Sequence, residues 1–138
     1  MVHLIKLAVG IRDVPHLEEA QRSRAEARGD LSVRRAFTRH KPVRPEVLDG
    51  SLYWVIKGVI RCRQRILGFE AASDAEGKAF CLILLDPQLV AVVPTARGPF
   101  QGWRYLKPED APADLTLGAD GEPPPDDMLK ELRSLGLI

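Results

Sequence analysis

The chain has 138 residues, of which 45% are hydrophobic, and 20 Lys and Arg residues nearly balance 19 Asp and Glu residues, for a net charge of +1. These values are typical of one ordinary globular domain, and they exclude a membrane-spanning chain and a miniprotein that depends on disulfides. The charge is uneven, since residues 1–70 hold 14 basic against 8 acidic residues and residues 71–138 hold 6 against 11. This asymmetry indicates either an anionic partner or two halves that neutralise each other across the fold.

The N-terminal part of the chain predicts a strand followed by a helix. Apolar residues alternate over 3–11, and Lys6 within this stretch argues against a secretory signal, so we expect a cytoplasmic protein. Asp13 is a suitable N-cap and Gly29 a suitable C-terminal stop, which predicts a helix over 14–28. Its thin apolar stripe is typical of a helix on the surface of a sheet.

The middle of the chain predicts a cluster of strands. We expect a strand within 31–42, a single helical turn ending at Gly50, and two paired strands within 51–70. The most apolar region, "AFCLILLDPQLVAVVP", predicts two central strands over 79–85 and 89–93. Clustered strands without intervening helices predict an α+β fold with a small mixed, mostly antiparallel sheet or a pseudo-barrel.

The C-terminal part predicts a short strand, a linker and a helix. "GWRYL" at 102–106 is expected to form a closing strand, and "GADGEPPP" has the composition of a linker. "DDMLKELRSLGLI" predicts a helix capped by Asp126 or Asp127, with an apolar side formed by Met128, Leu129, Leu132 and Leu135. We therefore predict one α+β domain over 1–117 and a linker plus C-terminal helix over 118–138.

The hairpin within "SLYWVIKGVIRCRQRILGFE" determines where Trp54 points. A two-residue primed turn at 57–58 places Trp54 opposite Arg61, on the same face as Arg63 and Arg65. A bulge or a longer loop reverses this parity and sends Trp54 into the core, which is the usual environment of a tryptophan in a strand.

The sequence contains no motif of catalysis or metal binding. The three histidines, Cys62 and Cys81 lack the spacing of zinc ligands, and there is neither a glycine-rich phosphate loop nor a nucleophile elbow. Both cysteines lie in apolar runs and are expected to be reduced core thiols. We therefore expect no metal and no cofactor, and a binding protein rather than an enzyme.

Arginine and aromatic residues form the group best suited to ligand binding. Guanidinium groups contact phosphates through planar forks, and aromatic rings stack on bases. The residues predicted to contact nucleic acid are Arg34, Arg35, Arg39, Arg61, Arg63 and Arg65 at phosphates, Trp54, Trp103 and Tyr105 at bases, and Arg104.

Several stretches of the chain resemble a bacterial family, domain-of-unknown-function family 1489, over residues 3–117. They are "HLIKLAVGI", "LDGSLYWVIKGVIRCRQRILGFE", "LLDPQLVAVVP" and "PFQGWRYLKPEDAPADL". Strand order and the string "YWVIKG" also resemble, more distantly, the PUA-like domains of the ASCH and EVE groups. That resemblance implies a small mixed barrel that binds RNA or a modified base, although no base-pocket residue carries over to this chain.

The leading functional hypothesis is therefore binding of RNA or single-stranded nucleic acid through the arginine and aromatic residues, without membrane association. The alternative is an enzyme or sensor for a small anionic metabolite, which the same arginines would hold in the mouth of the barrel. A third hypothesis is a partner-binding module that docks through its acidic half and C-terminal helix.

Overall fold

The computed structural model describes residues 1–98, 100 and 102–115. The elements in chain order are β1 (His3–Leu7), α1 (Val14–Arg28), β2 (Arg34–Thr38), a 3-10 turn (Pro45–Asp49), β3 (Ser51–Ile56), β4 (Val59–Ser73), β5 (Ala79–Leu85), β6 (Val90–Ala96), β7 (Trp103–Leu106) and a second 3-10 turn (Pro108–Asp110). The prediction of an α+β fold is confirmed. The predicted linker and C-terminal helix over 118–138 lie outside the described residues.

The seven strands form one open, mostly antiparallel sheet. The strand order is β2-β5-β4-β3-β1-β7, and β6 pairs with β4 beside this path. Only the pairing of β1 with β3 is parallel among the strands described. β5 is central as predicted, because it lies between β2 and β4, whereas the prediction of a central β6 is wrong, because β6 pairs only with β4 among the described strands. β2 and β7 are at the two ends of the order.

Local capping chemistry explains the bounds of α1. The side chain of Asp13 accepts a hydrogen bond from the backbone N–H of His16 at 2.8 Å, and Gly29 ends the helix with a left-handed φ of 79°. The buried positions Leu17, Gln21 and Ala25 lie one turn apart on a single face. α1 is too short to cross a membrane, and no other described helix is long and apolar enough to do so.

The hairpin between β3 and β4 has the predicted turn but a different register. Lys57 and Gly58 both have positive φ, 51° and 79°, as a primed two-residue turn requires. Pairing then shifts, so that Trp54 lies opposite Cys62 and Arg61 is the extra residue of a bulge. The ladder between β4 and β6 shifts at the same place. The expected pairing of Trp54 with Arg61 is therefore wrong, because the bulge reverses the parity.

The sheet is covered on both faces by two hydrophobic clusters. Trp54, which is 6% exposed, belongs to the first cluster together with Leu4, Leu52, Cys62 and Ile66. The second cluster, on the opposite face, consists of Ile5, Tyr53, Val55, Ile60, Val92 and Leu106. The bulge thus separates Tyr53, Val55 and Ile60 from Cys62 and Ile66, which a hairpin without a bulge would place on one face. Leu17 of α1 packs in the first cluster, which places the helix on the Trp54 side.

Candidate functional site

A cavity opens on the Trp54 side of the sheet, where α1 lies between β1 and β2. Its volume is about 210 Å³. We call it the Lys6 pocket, and its polar lining residues are Lys6, Gln21, Arg24 and Arg35. The apolar part of the lining is Leu7, Ala8, Val9, Ile11, Leu17, Ala20, Ala36, Phe37 and Trp54. None of the described lining residues is acidic.

Lys6 is a half-buried cation between two tryptophan-bearing strands. It pairs with Trp54 of β3 on one side and with Trp103 of β7 on the other. Cross-strand partners project to the same face of a sheet, so Lys6 shares the face of both indoles. Burial lowers the pKa of Lys6 below its usual value, because the charged ammonium loses water contacts. The pocket therefore holds a positive charge that no carboxylate of its described lining compensates.

Arg35 adds a second incompletely satisfied cation to the pocket. Its Nε lies 3.6 Å from Oε1 of Glu70, which is an ion-pair distance but too long for a hydrogen bond. Nε is buried and has no hydrogen-bond partner among the described atoms. A buried N–H without an acceptor is costly, so the pairing of Arg35 with Glu70 leaves part of this guanidinium's hydrogen-bonding capacity unused.

A network of buried amides holds the wall of the Lys6 pocket in place. Gln21 and Gln64 exchange two side-chain hydrogen bonds, each 2.8 Å long, and Trp54 Nε1 donates to the same Gln64 Oε1 at 2.8 Å. Gln64 Nε2 also donates to the carbonyl oxygen of Asp86 at 3.0 Å, and the residue is fully buried. The network ties α1 to β3 and β4, which fixes the positions of the lining residues Gln21 and Trp54.

A second cavity continues from the Lys6 pocket along α1 and β2. It measures about 240 Å³ and shares four lining residues with the pocket, namely Gln21, Arg24, Arg35 and Phe37. We call it the β2 groove. Its further lining residues are Ala25, Arg28, Val33, Arg34, Phe80 and Leu82. It is a basic cleft with apolar walls, and its described lining likewise lacks any acidic side chain.

The aromatic residues predicted to stack on bases lie on the Trp54 face and take part in packing. The indole N–H of Trp103 donates to the carbonyl oxygen of His40 at 2.7 Å. The hydroxyl oxygen of Tyr105 accepts from the backbone N–H groups of Val43 and Arg44 at 3.0 and 3.2 Å. Both side chains therefore hold the segment that follows β2 against β7.

Three of the predicted arginines lie on the opposite face. The cross-strand partners Arg104, Ile5, Tyr53 and Arg63 lie side by side on four neighbouring strands and project to the same face of the sheet. Arg65 is two residues further along β4 and therefore shares this face. Arg63 forms a bidentate pair with Asp114, with both N···O distances at 2.7 Å. Arg65 is exposed, and Arg61 is half-exposed at the bulge.

The remaining predicted arginines have separate environments on β2 and beyond it. Arg34 is buried and donates to the carbonyl oxygen of Leu31 at 2.8 Å. Arg39 pairs with Asp74 at 3.4 Å. Only Arg35 and Trp54, of the ten predicted residues, line the Lys6 pocket. The structure thus distributes the predicted set over both faces of the sheet.

The family model described as "Protein of unknown function (DUF1489)" matches residues 4–138. The chain belongs to this family. The match continues past residue 117, where the resemblance described in the sequence analysis ends, and it includes the C-terminal segment. Neither the curated proteins nor the solved structures contain a match to the chain.

Sequence reasoning missed three polar residues of the Lys6 pocket in this DUF1489 chain: Lys6, Gln21 and Arg24. The sequence does contain a sign of Lys6, because it is a lysine in an otherwise apolar strand and lies two residues from Leu4, on the same face of that strand. It also contains a sign of Gln21, since this residue falls between Leu17 and Ala25 on the buried face of α1. Neither sign connects the two residues, because their proximity depends on how α1 packs on the sheet.

Proposed function

We propose that this DUF1489 domain binds a compact anionic ligand, a phosphorylated or carboxylated molecule of metabolite size, in the Lys6 pocket. The observation that carries the proposal is Lys6 itself, a half-buried ammonium in a cavity with no acidic group in its described lining. Burying a charge without a partner is costly, and an anion in the pocket would compensate this cost.

The other lining residues support the same ligand class. Arg24 and Arg35 carry planar guanidinium forks, which match the oxygen geometry of phosphate and carboxylate. The apolar side chains of Leu17, Phe37 and Trp54 are suited to the uncharged part of the ligand. At about 210 Å³ the pocket is smaller than the roughly 300–1,000 Å³ of sites for drug-sized molecules, which favours a small ligand. The PUA-like resemblance extends the proposal to nucleotides and modified bases.

A calorimetric titration with pyrophosphate, inorganic phosphate and nucleoside monophosphates tests this proposal. We expect binding of at least one of these probes to the wild-type chain and a loss of about tenfold or more in affinity for Lys6→Met, since a hydrogen bond to a charged group contributes roughly 1.5–3 kcal/mol. The matched control is Lys78→Met, which removes an exposed lysine in the β4–β5 turn and should leave affinity unchanged. Wild-type binding that survives in Lys6→Met, or no binding of any probe, contradicts the proposal.

We infer a second candidate function, binding of single-stranded nucleic acid, from the surroundings of Phe100. The guanidinium carbons of Arg97 and Arg104 lie 5.9 and 5.7 Å from the centroid of its ring. A half-exposed ring flanked by cations favours stacking with a base while the cations contact phosphates.

Fluorescence anisotropy with short mixed-sequence RNA and DNA strands at two salt concentrations tests this second function. Phe100→Ala is the informative variant, because it removes the ring that would stack on a base. An Arg63 variant is less informative, because Arg63 already forms an ion pair with Asp114. Binding should weaken by about 1–3 kcal/mol in this variant, and each phosphate contact should add about 0.7 to the salt slope. Phe37→Ala, which removes a half-exposed ring elsewhere, is the control. Binding that is insensitive to salt, or equal loss in both variants, argues against this function.

A further inference from the structure

The β2 groove has an apolar wall that the described part of the chain leaves uncovered. Phe37 is 50% exposed, and its ring lies 4.9 Å from that of Phe80, between centroids. Leu82 extends the same wall. β2 is also an end strand of the sheet, and native proteins commonly cover such edges with a helix or a loop.

The charge of the groove is opposite to that of the C-terminal segment. Residues 1–115 hold 18 basic and 14 acidic residues, whereas residues 116–138 hold 2 basic and 5 acidic residues. Arg24, Arg28 and Arg35 line the groove. The C-terminal segment therefore carries the charge that is complementary to the described lining of the groove.

The C-terminal segment contains apolar residues at helical spacing, and the walls of the groove are apolar too. Met128, Leu132 and Leu135 recur at spacings of four and three, which is the period of one helical face. Asp126 and Asp127 precede them and have the charge opposite to that of the arginines. An amphipathic helix that lays its apolar face into a groove is a common mode of recognition.

Ten residues, 116–125, separate the described part of the chain from the segment that begins at Asp126. The backbone N–H of Leu115 donates to the carbonyl oxygen of Ala91, which anchors the chain beside β6 up to that point. Ten further residues span at most about 35 Å, which is roughly the diameter of a domain of this size. The family match runs to residue 138, so the segment belongs to the same family unit as the groove.

We propose that residues 126–138 of the same chain dock in the β2 groove, with their apolar side chains against Phe37 and Phe80 and their carboxylates facing Arg24 and Arg28. Because Arg24 also lines the Lys6 pocket, docking competes with an anionic ligand for this cation. The competition rests on the function proposed above, whereas the docking itself does not. The other described basic cavities differ, since one contains Glu70, another contains Asp49 and Asp114, and the open one beside Phe100 has no aliphatic wall of this kind.

A spin label on the full chain tests the docking without any ligand. A nitroxide on Ser134→Cys is selective, because Cys62 and Cys81 are buried and burial raises the pKa of the Cys62 thiol to about 12. We expect the strongest broadening of amide NMR signals at residues 24–37, and little at Gly58 in the β3–β4 turn. Broadening centred elsewhere, including around Phe100, contradicts the proposal, and so does the absence of a localised pattern.

Two matched variants and one mixing control sharpen this test. Phe37→Ser should abolish the pattern, whereas Leu67→Ser, which changes a residue that is 45% exposed on β4, should preserve it. If the pattern appears when a labelled unenriched chain is mixed with an unlabelled isotope-enriched chain, the occupant is the segment of a second copy and the proposal is wrong.

A binding measurement separates the regulatory consequence from the docking. In the variant Asp126→Asn/Asp127→Asn/Glu131→Gln we expect pyrophosphate to bind several-fold more tightly than in the wild-type chain. Localised broadening together with unchanged pyrophosphate affinity refutes the competition and leaves the docking intact. If wild type and variant both fail to bind any anion while broadening persists, the function proposed for the Lys6 pocket fails instead.

Discussion

The indole N–H of Trp54 donates to Gln64 Oε1 at 2.8 Å, and the same oxygen accepts a hydrogen bond from Gln21 of α1. Two adjacent strands and the helix thus share one buried acceptor. The bulge at Arg61 makes this arrangement possible, because it turns Trp54 and Gln64 to the same face of the sheet. The Lys6 pocket depends on this network, since Trp54 and Gln21 both line it.

Removing the shared acceptor should destabilise the fold. Gln64→Leu leaves the Trp54 indole and the Gln21 amide unsatisfied in the core, and we expect the free energy of unfolding to fall by about 3 kcal/mol. Urea denaturation followed by tryptophan fluorescence measures this change. Gln88→Leu alters an exposed glutamine and should change stability by less than about 0.5 kcal/mol. A loss below about 1 kcal/mol for Gln64→Leu would mean that the network contributes little.

Lys6 should make the free energy of unfolding change with pH in the alkaline range. Its pKa is lowered in the folded state by burial, so between that lowered value and the unfolded value of 10.5 the unfolded chain binds more protons. The free energy of unfolding therefore rises with pH across this window, and the burial cost is fully present below it. We expect Lys6→Met to stabilise the chain at pH 7 by more than at pH 10, as measured by urea denaturation at both values. A stability difference that does not change with pH would contradict the lowered pKa.

His3 should make the free energy of unfolding decrease at acid pH. Its Nδ1 accepts a hydrogen bond from the backbone N–H of Ser51 at 2.9 Å, and burial together with the charge of Arg63 lowers the pKa of its imidazole. Stability from this residue is fully present above the unfolded value of 6.5, and it is lost as pH falls from 6.5 through the lowered folded pKa. Thermal unfolding from pH 7 to 5 should show a slope of up to about 1.4 kcal/mol per pH unit, which His3→Gln removes. An unchanged slope in His3→Gln would assign the effect to other groups.

Any side chain at position 50 should destabilise the fold. A Cβ at this position would overlap the carbonyl oxygen of Val2 and meet Nδ1 of His3 at 3.0 Å. We expect Gly50→Ala to lower the free energy of unfolding by about 1–3 kcal/mol, which chemical denaturation measures. Gly98→Ala provides the matched control, because a Cβ there meets no atom within 4 Å. Equal stability of the two variants would show that the N-terminal strand moves to accommodate the methyl group.

The elements that sequence reasoning predicted well are those set by local chemistry. The helix over 14–28 has the bounds that Asp13 and Gly29 indicate, because capping depends on neighbouring residues alone. The turn at Lys57–Gly58 likewise follows from its own residue types. The strand over 79–85 has the predicted bounds as well.

The features that sequence reasoning did not predict depend on contacts between distant segments. The bulge at Arg61 occurs in the ladders with both β3 and β6, and the pairing with β6 is not visible from the hairpin sequence. One inserted residue then reversed the face of Trp54 and separated it from the arginine surface expected around it. The Lys6 pocket was missed for a related reason, since it forms only where α1 packs against β1 and β2.

The most direct test of anion binding at the Lys6 pocket is the pKa of Lys6 itself, measured by NMR through the Cε resonance in the presence and absence of pyrophosphate, phosphate or a nucleoside monophosphate. We expect Lys6 to titrate below 10.5 in the free protein and at a distinctly higher pH in the presence of at least one of these anions, because a bound anion favours the charged ammonium. The remaining lysines of the chain serve as internal references. A Lys6 titration that is the same with and without every anion would contradict the proposed function.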